Sequence, residues 1–217
     1  MNIHTYTISV LALVVLAGCA ATPQSISEMD MQERIKLTSG YPGCPSCSKV
    51  KTYSSPLVSS ISTRFSGPEA IGWINVKLSL ALTNKTENFI PQYQLIAQFT
   101  NGGDFSDWTE IYIDGVKLSA TGDLQDKKCF NSIGSGCSWT QAYVLDAKRV
   151  EDAMKSNSGI DLFIGKPVHT TVLANDGYIQ RPVAKKTIIG VREAISSSVL
   201  AGFVKGLQAR GADMPRT

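Results

Sequence analysis

The sequence predicts a mainly β protein, an immunoglobulin-like β-sandwich with a C-terminal helix, with a more open α+β sheet as the alternative. Three observations lead there. Ile74, Val76, Leu78, Leu80 and Leu82 alternate with Asn75, Lys77, Ser79 and Ala81, a period of two that puts apolar residues on one face of a strand. Asp114-Gly115 separates two short runs, Ile111–Ile113 and Val116–Leu118, where a tight hairpin turn needs residues that tolerate positive φ. Near the C-terminus Ile195, Val199, Phe203 and Leu207 recur every fourth residue, joined by Leu200 and Val204, and form one helix face.

Along the chain, the polar segment from Ala20 to Tyr41, with Glu28, Asp30, Glu33, Arg34 and Lys36, reads as a tether in which Met29–Leu37 offers a short helix. The strand at Ile74–Leu82 ends in the polar turn Thr83–Asn88. The chain returns through Tyr93, Leu95, Ala97 and Phe99, alternating with Gln92, Gln94, Ile96 and Gln98, as an antiparallel partner that begins after Pro91. Asn101-Gly102-Gly103-Asp104 reads as a flexible link before the Asp114-Gly115 hairpin. Trp139–Leu145 is a strand, and Asp146 then caps a helix over Ala147–Lys155 whose Val150 and Met154 share a face. Further strands follow at Ile160–Ile164, His169–Leu173 and Thr187–Val191. The last helix spans about Glu193 to Gln208, packed on the core or, in a second reading, lying on a membrane.

The N-terminus carries an address. The apolar run Ile8–Ala17 has the length of a signal-peptide core and falls well short of the ~20 residues that span a bilayer. At its end Leu16-Ala17-Gly18-Cys19 resembles the lipobox of bacterial lipoproteins. Unlike most such leaders, Met1–Thr7 contains no Lys or Arg. The resemblance implies cleavage before Cys19, lipid on its thiol, and durable anchoring by more than one acyl chain, palmitate among them. Ala20 after the cysteine implies the outer membrane, at its periplasmic face or at the cell surface. The expected organisation is a signal peptide over 1–18, an anchor and tether over 19–42, a β-rich domain over 43–210 and a flexible tail over 211–217. The second half is also similar in layout to uncharacterised Gram-negative envelope lipoproteins, through Asp114-Gly115, Cys129 and Cys137, the strand before Asp146, and Leu200-Ala201-Gly202-Phe203-Val204. That similarity implies no activity.

With Cys19 given to lipid, Cys44, Cys47, Cys129 and Cys137 remain, an even number in an exported chain and so disulfide candidates with three pairings. Local pairs, Cys44 with Cys47 and Cys129 with Cys137, are favoured over pairs that join the two halves. A redox-active Cys44-Pro45-Ser46-Cys47 would need a strand before it and a helix after it. Tyr41-Pro42-Gly43 and Pro56 offer neither, which favours a structural disulfide. Zinc is disfavoured by the long gap between Cys129 and Cys137, and attached haem by Ser48 where His is required. His169 is the one histidine after the cleavage point, so multi-histidine metal sites are excluded, and no Gly-x-Ser-x-Gly elbow accompanies it. Thiol-disulfide exchange and a His169-dependent hydrolase remain the enzymatic alternatives.

Binding is the main expectation. Asp104, Asp107, Trp108 and Glu110 gather acidic groups around one aromatic residue, a combination suited to sugar or a cation. Net charge is +3 overall, too little for nucleic acid. From Arg181 onward, however, seven basic residues (Arg181, Lys185, Lys186, Arg192, Lys205, Arg210 and Arg216) stand against Glu193 and Asp213. Lys205 and Arg210 on the last helix are therefore candidates for contact with anionic headgroups or cell-wall polymer. No phosphate loop, dinucleotide fingerprint or repeat is present, and no cofactor or metal is expected. The sequence thus reads as a lipid-anchored, non-enzymatic envelope protein with a protein or glycan partner.

Overall fold

The alternating run at Ile74 becomes the centre of a six-stranded antiparallel sheet in a computed structural model that describes residues 26–39, 50–67, 70–85, 90–106, 110–131, 135–175 and 180–216. In chain order the elements are α1 (Glu28–Glu33), β1 (Lys36–Ser39), β2 (Val50–Gly67), β3 (Ala70–Lys85), β4 (Gln92–Gly103), β5 (Glu110–Ile113), β6 (Val116–Lys117), β7 (Ala120–Phe130), β8 (Gly136–Leu145), α2 (Ala147–Lys155), β9 (Ile160–Asn175), β10 (Gln180–Ile195) and α3 (Ser197–Ala209). The larger sheet runs β1-β2-β3-β4-β8-β7 and the smaller β10-β9-β5-β6, so the chain leaves the first sheet after β4 and returns to it at β7. The protein is mainly β, sandwich-like, with curled antiparallel sheets and a C-terminal helix.

Register explains the core. Leu82, Tyr93 and Leu145 form one row across β3, β4 and β8, followed by Leu80, Leu95 and Tyr143, by Leu78, Ala97 and Gln141, and by Val76, Phe99 and Trp139. All of these residues are buried. In the last of these rows Phe99 and Trp139 stack with ring centroids 5.2 Å apart. The smaller sheet contributes Ile111, Ile113, Ile160, Leu162 and Ile164 to the same core.

β2 and β7 escape the alternation rule. In β2 the register shifts twice between Ser54 and Ser59, around Pro56, which has no N–H for a ladder. The Ser55 hydroxyl accepts from the Leu80 N–H (2.8 Å), so a side chain supplies an acceptor where the ladder register shifts. β7 is an edge strand with two register shifts of its own, and its sequence is polar along most of its length.

The expected tether is partly core. Ser27 caps α1 by accepting from the Asp30 N–H, Met31 is fully buried, and α1 packs along α3. What lets it do so is Gly202 and Gly206. A Cβ on Gly202 would sit 2.5 Å from the Glu28 carbonyl oxygen, and one on Gly206 the same distance from Ile35 Cδ1. The globular unit therefore includes α1, and β1 joins it by pairing with β2.

Other expectations need correction. Asn101–Gly103 is the end of β4, with Asn101 fully buried, so these residues are strand where a flexible link was expected. The strands expected at Ile160–Ile164 and His169–Leu173 are one strand, β9. The last helix begins at Ser197 because Ile195 pairs with Ile160 and Ser196 caps the helix through the Val199 N–H. In the expected tail, Ala212 and Met214 pack on the core. Among the described residues no helix is long and apolar enough to cross a membrane.

Replacing Gly206 with Leu forces α1 off α3. Urea unfolding of that variant is expected to show a loss of about 1–3 kcal/mol, the usual cost of overpacking. Lys205→Ala, which removes only an exposed ion pair to Glu28, is expected to lose well under about 1 kcal/mol. Equal losses in the two variants would contradict the packing account.

Candidate functional site

The hairpin of β5 and β6 is built as its turn chemistry requires. Ile113 pairs with Val116, and Asp114 (φ 48°) and Gly115 (φ 76°) make the turn. Ile111 and Ile113 face the core, which leaves Glu110 and Tyr112 on the outer face of the smaller sheet. Lys117, Tyr112, Phe163 and Arg192 lie in one row across that face. The Tyr112 and Phe163 rings meet edge to face with centroids 6.4 Å apart.

Glu110 ties this row together. Its carboxylate accepts hydrogen bonds from the Tyr112 hydroxyl and the Lys117 ammonium. Burial, the hydrogen bond to Glu110 and that group's charge push the Tyr112 phenol up to about 12. The Tyr143 phenol is raised further still, mainly by burial and then by the Glu110 charge. Both phenols are therefore neutral donors throughout the physiological range.

Beside the hairpin lies an open groove of about 750 Å³ between the turn, α2 and the start of β9. Asp146, at its edge, caps α2 by accepting from the Lys148 N–H (2.7 Å) and the Arg149 N–H (3.3 Å), so the helix terminus is already satisfied. Arg149 reaches across to Asp114 and fastens α2 to the turn. Ser156 and Ser158 share a hydrogen bond of 2.8 Å on the far wall. Among the described residues the charged ends of Lys148, Asp152 and Asp161, all lining the groove, have no hydrogen-bond or ion-pair partner. A second recess of about 410 Å³ shares Asp114 and Asp161 with the groove and continues it toward Phe163 and Arg192.

The residues singled out in the sequence do not converge here. The Asp104 carboxylate accepts from the Ile71 N–H (2.8 Å), while its carbonyl accepts from the Lys166 ammonium (2.6 Å), so Asp104 pins the start of β3 to the end of β4. Glu110 is held by Tyr112 and Lys117 as described, and Asp107 and Trp108 lie outside the described residues. Lys205 pairs with Glu28, and Arg210 donates to the Gln32 and Glu33 carbonyl oxygens (2.7 and 3.0 Å) at the end of α1. Both side chains are thus occupied in holding α1.

Cys129 and Cys137 oppose each other across β7 and β8 and are bonded, with Cα atoms 4.0 Å apart. Cys19, Cys44 and Cys47 lie outside the described residues. His169 lies on β9 opposite Lys186 of β10. Among the described residues no group of three or more His, Cys, Asp or Glu side chains is placed to hold a metal ion. The groove itself was not anticipated, although its two rims, the Asp114-Gly115 turn and the Asp146 cap, were. No family model, curated protein or solved structure matches the chain.

A raised phenol pKa favours the neutral form in the folded state. The contribution of Tyr112 to stability is therefore complete below pH 10, its ordinary value, and drains away as pH rises toward about 12. Unfolding midpoints measured across that window are expected to fall less steeply in Tyr112→Phe than in the parent protein. An unchanged slope would show that Tyr112 ionises as freely as an exposed phenol.

Proposed function

We propose that the protein is a lipid-anchored component of the bacterial envelope, held at the outer membrane through Cys19, and that its β domain binds a polar envelope component without catalysing a reaction. The anchorage reading is supported by the lipobox-like Leu16-Ala17-Gly18-Cys19. The binding reading is supported chiefly by the groove, where Lys148 and Asp161 offer opposite charges without partners among the described residues, flanked by the Ser156 and Ser158 hydroxyls.

Physical chemistry narrows the ligand. A site with exposed charge of both signs and hydroxyl groups discriminates through hydrogen bonds and leaves apolar ligands unrewarded. A glycan or peptide segment carrying both donors and acceptors fits that description. Phe163 and Arg192 in the adjoining recess extend the surface along one direction, which suits a polymer better than a compact molecule.

A photo-crosslinker at Ser158 in the intact envelope is expected to capture one component, and the product is expected to disappear in the double variant Lys148→Glu, Asp161→Lys. Persistence of the same product in that variant would refute the groove as the site. Anchorage has its own readout: Cys19→Ser is expected to move the protein from the membrane to the soluble fraction, and no change would refute it.

A further inference from the structure

We propose that the recess beside the groove is a sugar subsite, in which the Phe163 ring stacks on a neutral pyranose unit while Arg192 and Asp161 hydrogen-bond to its hydroxyls. The recess is lined chiefly by Tyr112, Asp114, Asp161, Phe163 and Arg192, and it shares Asp114 and Asp161 with the groove. This assignment rests on the groove reading above and narrows its ligand from glycan or peptide to glycan.

Phe163 stands out by its place. Leu162 and Ile164 on either side of it are buried in the core, so the period of two puts Phe163 on the outer face of the smaller sheet, half-exposed. Its neighbours fix its pose. Tyr112, opposite on β5, meets it edge to face and is itself tied to Glu110 through its hydroxyl. Along β9 the ring leans over Gly165, where a Cβ would lie 2.8 Å from Phe163 Cε1. Gly165 is opposed in turn by Gly190 on β10, so the row next to the ring carries no side chain on these two strands. A ring lying along bare backbone and braced by a second ring is ordered before any ligand arrives, which lowers the cost of binding.

Polar groups meet the ring from two directions. Arg192 pairs with Phe163 across β10, and Asp161 precedes it by two residues on the same face, about 7 Å along the strand. Both are exposed, and neither has a hydrogen-bond or ion-pair partner among the described residues. The other charges nearby are committed: Asp114 to Arg149, and Glu110 to Lys117. One guanidinium and one carboxylate therefore remain in the recess, a set of donors and a set of acceptors whose charges offset. A pyranose has the matching parts. Its face of C–H bonds leaves water against an aromatic ring, and its rim of hydroxyls both donates and accepts.

Other ligands fit less well. At Leu162 and Phe163, β9 has ladder partners on both sides, β5 and β10, so the floor of the recess offers no free strand edge to an extended peptide. An anionic sugar would bring its charge to Arg192 beside the Asp161 carboxylate. Further units of a neutral chain can continue into the groove, where Lys148 and the Ser156 and Ser158 hydroxyls supply hydrogen-bonding groups.

The test is a screen of the full-length protein on an array of neutral hexose and N-acetylhexosamine oligosaccharides, beside uronate-containing oligosaccharides and stem peptides released from cell wall. Binding to a neutral oligosaccharide is expected, with little change as salt is raised. Titration with that oligosaccharide is expected to show affinity lowered about tenfold in Phe163→Leu, which keeps apolar bulk and loses the flat ring, and about tenfold in Arg192→Gln. Phe163→Tyr is expected to bind as the parent does. Absence of binding to any neutral oligosaccharide, a preference for the uronates or the peptides, full affinity in Phe163→Leu, or equal losses in Phe163→Leu and Phe163→Tyr would each overturn the proposal. The groove reading fails separately, through persistence of the Ser158 crosslink in the double variant. A crosslink lost there but kept in Phe163→Leu would leave the groove as a site and remove the sugar subsite.

Discussion

The structure depends on the buried rows that cross β3, β4 and β8. Each full-sized apolar side chain in those rows contributes about 1.5–3 kcal/mol by leaving water. Because the side-chain period is two, a slip of one residue would turn Leu78, Leu80 and Leu82 outward and bring Lys77 and Ser79 in. Register is therefore fixed by burial at the centre of the sheet, and the outer strands are placed against it. The buried rows are flanked by ring contacts: Tyr93 meets Phe203 of α3, and Phe105, after β4, packs on Phe65.

The C-terminal charge shows how packing redistributes what composition adds together. As sequence, Arg181 through Arg216 is one basic segment. In the fold six of its seven basic residues separate into three settings: the outer part of β10 for Arg181, Lys185 and Lys186, the recess on the smaller sheet for Arg192, and the α1–α3 contact for Lys205 and Arg210. The last group is held by partners that come from the opposite end of the chain. Close approach of α1 to α3, permitted by Gly202 and Gly206, brings Glu28 and the Gln32 and Glu33 carbonyls within reach.

The candidate groove has a similar origin. The Asp114-Gly115 turn and the Asp146 cap were both legible, because each is a local device that needs only its neighbours in sequence. Their meeting was not. It requires β5 to leave the first sheet and pair with β9, after which Arg149 and Asp114, distant in sequence, form an ion pair. Asp161 was equally hidden, since one acidic residue between Ile160 and Leu162 reads as the solvent face of an ordinary strand. Conversely, Asp104 and Glu110 looked like a site because they are close in sequence, yet each is occupied by a different structural partner.

The sequence by itself determined the elements whose stability is local or whose apolar residues keep a clean period: β3, β4, the β5–β6 hairpin, β8, α2 and most of α3. It also carried the lipobox-like motif at Cys19, on which the anchorage proposal rests. Only the tertiary structure decided the rest. β2 was obscured by the register shifts around Pro56, β7 by its polar edge position, and the packing of α1, though not its helix, by the glycine contacts that turn an apparent tether into core. These depend on neighbours far along the chain, and no local period records such neighbours. The long β9–β10 hairpin belongs with them, because its continuity follows from sixteen paired positions between β9, which alone looked like two short strands, and β10, of which only Thr187–Val191 looked like strand.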